Sequence, residues 1–165
     1  MISPNFLVKT WLLSETVNGV DISNPLLPVL ADLFVAGGAF PNNDPNRIYV
    51  GHLPQGFDPL YGPGVVIRVG AGTTAGTGGG SAHPEIPITM PRMQITTFAG
   101  IQQYQIAGQV YGAIHDWIHR RNNVDLGDAG FVLSCLEQVE GQDVDDPHLF
   151  YATNISFWKL MLRED

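Results

Sequence analysis

Three stretches of this chain hold residues whose types and spacing could do chemistry. The sharpest is His115-Asp116-Trp117-Ile118-His119. Two histidines four residues apart on a helix face one direction and can share a zinc ion, as in the His-Glu-x-x-His arrangement of metalloproteases. Asp116 stands where the general base would be, one methylene shorter than glutamate, and His148, after Asp145-Asp146-Pro147, is the candidate third ligand. Trp117 and Ile118 belong to the apolar stripe of the same helix, which leaves the two histidines flanking that stripe at the solvent edge. Without its glutamate the motif is incomplete, so the expectation is no metal and no cofactor. A zinc-dependent hydrolase built on His115 and His119 stays as the catalytic alternative.

The second stretch, Gly70-Ala71-Gly72-Thr73-Thr74-Ala75, formally fits a dinucleotide fingerprint after a strand. A dinucleotide turn must open a helix whose N-terminus receives the pyrophosphate, whereas this sequence continues into further glycines and then prolines. Residues 70–81 therefore read as a flexible Gly/Thr-rich loop between strands. The third stretch holds the single cysteine, Cys135, set in Val132-Leu133-Ser134 and Leu136 as a buried strand thiol is. No Gly-x-Ser-x-Gly elbow exists. The acids Glu137, Glu140, Asp143, Asp145 and Asp146 form a negative rim, with the Asp145-Asp146 pair in a Pro-bounded, solvated turn.

The elements that must position these residues centre on Arg92 to Arg121. Arg92 to Phe98 reads as a strand, Ala99-Gly100 as a one-glycine turn, and Ile101 to about Arg120 as a long amphipathic helix. Tyr104, Ala107, Val110, Tyr111, Ile114, Trp117 and Ile118 recur at three- and four-residue steps, so one face of that helix is buried. Ser3-Pro4 opens a short helix through Leu12 that Asn18-Gly19 closes, and Leu26 to Val35 forms a second, ended by Gly37-Gly38. Strands are expected at Arg47 to Val50, Val65 to Val69, Phe131 to Glu140 and Leu149 to about Leu160, with turns at Asp125 to Gly130 and Asp143 to Pro147. In the last strand Tyr151, Ile155 and Phe157 share one face, and Ala152, Asn154 and Ser156 the other. The fold class is α+β: a mixed, mostly antiparallel sheet of about five strands, one long helix packed on a face, and short N-terminal helices.

The 165 residues fit a single domain, 1–165. Eight basic residues stand against sixteen acidic ones, a net charge of −8. Phosphate neutralisation needs clustered Lys and Arg, so this balance argues against a nucleic-acid binder. The one basic run, His119-Arg120-Arg121, complements a helix C-terminus. A lone cysteine forms no internal disulfide, and the N-terminus lacks a secretory signal. No run reaches the roughly twenty apolar residues of a membrane span. A soluble protein made in a cytoplasm is expected.

The order of elements resembles phage tail-terminator and tail-completion proteins. The resemblance starts with a short helix, the strand Arg47 to Val50 running into Leu53-Pro54, and the strand Val65 to Val69 before a variable loop. It is best from Pro91: a Pro-Arg-x-Gln-Ile-x-x-Phe strand, a Gly turn, and the helix with Ala107, Val110 and Tyr111. It continues through Phe131 to Glu140, the Asp-Asp-Pro turn and a terminal strand ending near Phe157-Trp158, and so covers residues 45–162. Leu26 to Val35 stands as an insertion.

The resemblance implies a non-enzymatic virion protein of the phage tail or neck, assembled in the host cytoplasm. Its copies would form a ring, a homohexamer, that ends tail-tube polymerisation and joins the tail to the head connector. Its partners would be itself, the tail tube protein and the head-connector or stopper protein, with DNA passing through the lumen unbound and no membrane. Rings need a heterologous interface that closes on itself. Gly70, Gly72, Thr73, Thr74, Thr77, Gly78 and Ser81 are the candidate subunit or partner contacts. Glu137, Glu140, Asp143, Asp145 and Asp146 are candidates for an acidic rim or lumen that repels phosphate. Another neck, head–tail joining or minor tail protein is the alternative within the virion, and a binding module unrelated to virions the alternative outside it.

Overall fold

The computed structural model describes residues 3–34, 47–70, 73–75, 88–144 and 151–163. Helix α1 (Pro4–Leu13) opens on a proline whose fixed φ suits the first helical turn, and it buries Leu7, Val8, Trp11 and Leu12. Asn18-Gly19 does not close it; α1 ends at Leu13. The Asn-Gly pair instead turns a small hairpin between β1 (Thr16–Val17) and β2 (Val20–Asp21). Two consecutive left-handed residues, φ 56° at Asn18 and 72° at Gly19, are what such a two-residue turn demands. Helix α2 (Leu26–Leu33) tolerates Pro28 because the first turn has no use for its amide, and it stops two residues before the expected Val35. Gly37-Gly38 lie outside the described residues. Asn24 ties the two helices together: its Nδ2 donates to Leu12 O and Ser14 O, and its Oδ1 accepts from Leu26 N–H.

The main sheet runs β3 (Ile48–Val50), β4 (Gly64–Val69), β7 (Arg92–Ala99), β10 (Ala152–Arg163), β9 (Phe131–Val144), β8 (Asn122–Asp125). Only β3 and β4 are parallel; every other pairing is antiparallel. Two short strands extend this frame. β6 (Ile88–Met90) continues the lane of β7 beyond Pro91 and pairs with Leu162 and Arg163 of β10. β5 (Thr73–Ala75) pairs antiparallel with β6, so part of the expected Gly/Thr loop is strand. β-branched Thr73 and Thr74 favour extended backbone over the glycines around them. Sequence reading also passed over β8, whose Asn122-Asn123 lack strand propensity and which is held by its ladder to β9. β9 runs four residues past Glu140 and β10 three past Leu160, because each supplies the other's hydrogen bonds along its length.

Helix α3 (Tyr104–Ile118) packs against β7, β9 and β10. The turn before it takes its left-handed residue at Gln102 (φ 61°) rather than at Gly100, whose N–H donates to Gln103 Oε1 at 3.0 Å. All three helices lie over one core: Trp11, Leu12, Leu26, Ile48, Ile67, Met93, Ile95, Ile114, Trp117, Trp158 and Leu160 are buried together. The architecture is therefore α+β, a mixed and largely antiparallel sheet with helices gathered on it. On β10 the covered face is the one that carries Asn154 and Ser156, with Trp158, Leu160 and Leu162 beyond them. The opposite face is closed at one end by Tyr49, Phe57 and Val66, with Arg47 4.5 Å above the Phe57 ring. Further along, Leu136, Val139 and Phe157 stand 46%, 39% and 43% exposed.

Trp117 binds the helices to each other as well as to the sheet, since its Nε1–H donates to Trp11 O at 2.9 Å. Trp117→Phe removes that donor and leaves a gap in a fully buried site. It should lower the unfolding free energy by about 2–4 kcal/mol in urea denaturation, with the fold retained.

Candidate functional site

Tyr111, His115 and His119 follow one another at four-residue steps, and this row of α3 lies along β9 and β10 beside the buried stripe. His119 ends the helix with extended backbone (φ −65°, ψ 131°), and the chain then zips onto β9. Arg120 N–H donates to Cys135 O at 2.9 Å, and Cys135 N–H to Arg121 O at 3.1 Å. The next amide on that edge, Glu137 N–H, meets the His119 side chain instead of backbone, with Nδ1 accepting at 3.3 Å. The two imidazoles stack at 4.5 Å and 20°. Trp158, paired with Glu137 across the ladder, packs against both rings at about 6 Å.

Glu137 turns inward under this row. Its side chain is only 5% exposed, its Oε2 lies 3.3 Å from His115 Nε2, and its Oε1 accepts a hydrogen bond from the Tyr111 hydroxyl. On the far side of the ring, His115 Nδ1 is 3.6 Å from Asp116 Oδ1. His115, His119 and Glu137 offer one ligand atom each within 4.8 Å of one another. Burial, then the Glu137 hydrogen bond, pushes the Tyr111 phenol up to about 12. His119 is held below the ordinary imidazole value, first by burial and then by His115 and Arg120, with Glu137 opposing. Burial likewise pushes the Cys135 thiol well up, which suits an inert core residue and not a nucleophile.

The structure thus joins the expected histidine pair to a residue sequence reading had placed elsewhere. Glu137, expected in the negative rim, sits two residues from inward-facing Cys135, and strand alternation carries it to the same side. That period was the signal available. Of the other rim acids, Glu140 and Asp143 are exposed, Asp143 Oδ1 accepting from Asn154 Nδ2 at 3.1 Å. Asp145, Asp146 and His148 lie outside the described residues. Of the candidate contact residues, Gly70 is exposed and its N–H donates to Arg92 O at 2.9 Å. Thr73 and Thr74 pair with Met90 and Thr89. Gly72, Thr77, Gly78 and Ser81 lie outside the described residues. No helix among the described residues is long and apolar enough to cross a membrane.

No protein-family profile and no curated protein sequence matches this chain. Among solved structures, a chain of the "Virion of native gene transfer agent (GTA) particle" is similar in fold. Its TM-score is 0.50 at 12% identity, over 72% of this chain and 79% of that one. At that identity the likeness is one of fold.

The hydroxyl of Tyr111 is the hydrogen-bond donor that holds Glu137 Oε1 in place. Tyr111→Phe should therefore destabilise the protein by about 1–3 kcal/mol in urea denaturation, the range for a buried acceptor that loses its donor. An unchanged midpoint would mean the carboxylate is satisfied without the phenol.

Proposed function

We propose that this protein is a non-enzymatic structural component of a phage-like virion, resembling tail terminators, whose copies close into a hexameric ring. The observation that carries this reading is the fold likeness to a chain of a gene transfer agent virion, which spans most of both chains. The likeness is to one chain of a whole particle, so a neck or minor tail position draws on the same support. In the ring reading, the protein would end tail-tube polymerisation on one side and meet the head connector on the other.

Two surface features favour assembly. The sheet face away from the helices presents Leu136, Val139 and Phe157 to solvent, the last two beside Arg68 and Arg92 in the lining of a groove. Large apolar side chains grouped on an open face are characteristic of protein contacts. Among the described residues the sheet ends in dissimilar edge strands, β3, β5 and β8, which suits a heterologous interface. The exposed Glu140 and Asp143, with a net charge of −8, fit a channel that repels phosphate.

Native mass spectrometry tests the stoichiometry: the ring reading expects a species of about 107 kDa, six times the 17.9 kDa chain. A chain that stays monomeric or dimeric at assembly concentrations contradicts it. Phe157→Asp combined with Val139→Asp should release monomers of unchanged circular dichroism. Deleting Gly76 to Gly80 should also weaken assembly and leave folding intact.

A further inference from the structure

We propose that His115, His119 and Glu137 form a binding site for one divalent first-row transition ion of the zinc class, which clamps the C-terminal turn of α3 to β9. The donor set is two imidazoles and one carboxylate, the composition of three-ligand zinc sites that leave a fourth position to water or a further ligand. One edge of the coordination polyhedron is already in place. His115 Nε2 and Glu137 Oε2 are 3.3 Å apart. Two ligands each about 2.0–2.1 Å from a tetrahedral ion stand roughly 3.3 Å from one another. The third donor lies within 4.8 Å of the others and must swing inward by about an ångström.

That swing shifts the His119 ring against its stacking on His115 and its packing on Trp158, and it breaks the long contact from Glu137 N–H to Nδ1, which is surrendered whichever ring nitrogen takes the metal; ligation must outweigh that loss. If Nδ1 ligates, its lone pair is no longer free; if Nε2 ligates, Nδ1 carries the proton. The surrounding groups already orient the other two ligands. Asp116 Oδ1 faces His115 Nδ1, which leaves Nε2 for the ion, and the Tyr111 hydroxyl occupies Glu137 Oε1, which leaves Oε2. A carboxylate only 5% exposed, whose described polar partners are a phenol and an imidazole, lacks a permanent cation, and a metal supplies one. Imidazole donors select zinc-like ions over Mg2+ and Ca2+, which prefer all-oxygen shells. The site is a structural clamp and does not depend on the ring reading.

The test uses the untagged full-length chain, stripped with chelator and titrated with zinc chloride alone. One equivalent should bind, and at a hundredfold excess over Kd the melting temperature should rise by roughly 5–10 °C. Co2+ in place of zinc should show the visible bands of a tetrahedral ion, a direct readout of the ligand geometry. His119→Gln and Glu137→Gln should each weaken binding by at least about tenfold, with circular dichroism confirming that the variants fold. His148→Gln and Mg2+ or Ca2+ in place of zinc serve as controls, the first leaving zinc binding unchanged and the others giving no shift. The proposal is overturned if zinc neither binds nor shifts melting. It is equally overturned if zinc binds as tightly to Glu137→Gln, or if His148→Gln abolishes binding.

Discussion

The hydrogen bond from Trp117 Nε1–H to Trp11 O is the contact that most directly ties the first helix to the long one across the core. It joins residues 106 positions apart, and it does so inside a core where both indoles are fully buried. The Trp117 N–H finds its acceptor in the Trp11 carbonyl, whereas the Trp11 indole N–H is buried without a hydrogen-bond partner among the described residues, so the Trp117 bond is the polar tie between α1 and α3 where they cross. α3 lies along β7, β9 and β10, held there by its own buried apolar residues as well as by that crossing. Its apolar row goes into the core, and its Tyr111–His115–His119 row falls over β9. The polar cluster beside the core is a consequence of how the helices meet.

The sheet contributes the second constraint. β10 sits between β7 and β9 and carries the longest ladders of the molecule. Its register with β9 shifts at three points, between Ile155 and Phe157, between Phe157 and Trp158, and between Met161 and Leu162. Each irregularity re-aims the side chains that follow it. As a result Trp158 faces Glu137 on the helix side, while Phe157 faces Val139 on the open side, although unbroken alternation would place Glu137 and Val139 together. One stretch of two strands thus serves both the polar cluster and the apolar surface.

Much of this was legible in the sequence wherever a period ran long enough. The helical spacing from Tyr104 to Ile118 marked α3, and the β-branched run Val65 to Val69 marked β4. The class, α+β with helices gathered on a mostly antiparallel sheet, followed from those elements and their order. What escaped was set by tertiary pairing and not by local preference. Asn122 and Asn123 became strand because β9 offers them a ladder, and Thr73 to Ala75 because β6 does. Asn18-Gly19 has the chemistry of a hairpin turn and was misread as a helix stop, since both uses exploit left-handed backbone. Glu137 is one acid among five in the sequence, and only its alternation with buried Cys135 sets it apart from the exposed Glu140 and Asp143. The histidine pair was visible, but its third member comes from a strand eighteen residues away and only the fold brings it there.

The core is well packed, and the sheet face away from the helices leaves Leu136, Val139 and Phe157 exposed, an open face suited to contact with other chains. Electron microscopy of the purified protein tests that most directly. The ring reading expects class averages of closed, six-fold rings with a central channel, joined through the open face around Val139 and Phe157 together with the sheet edges, and leaving α3 within each subunit. Fields of isolated single-chain particles at concentrations where virion proteins assemble would contradict it.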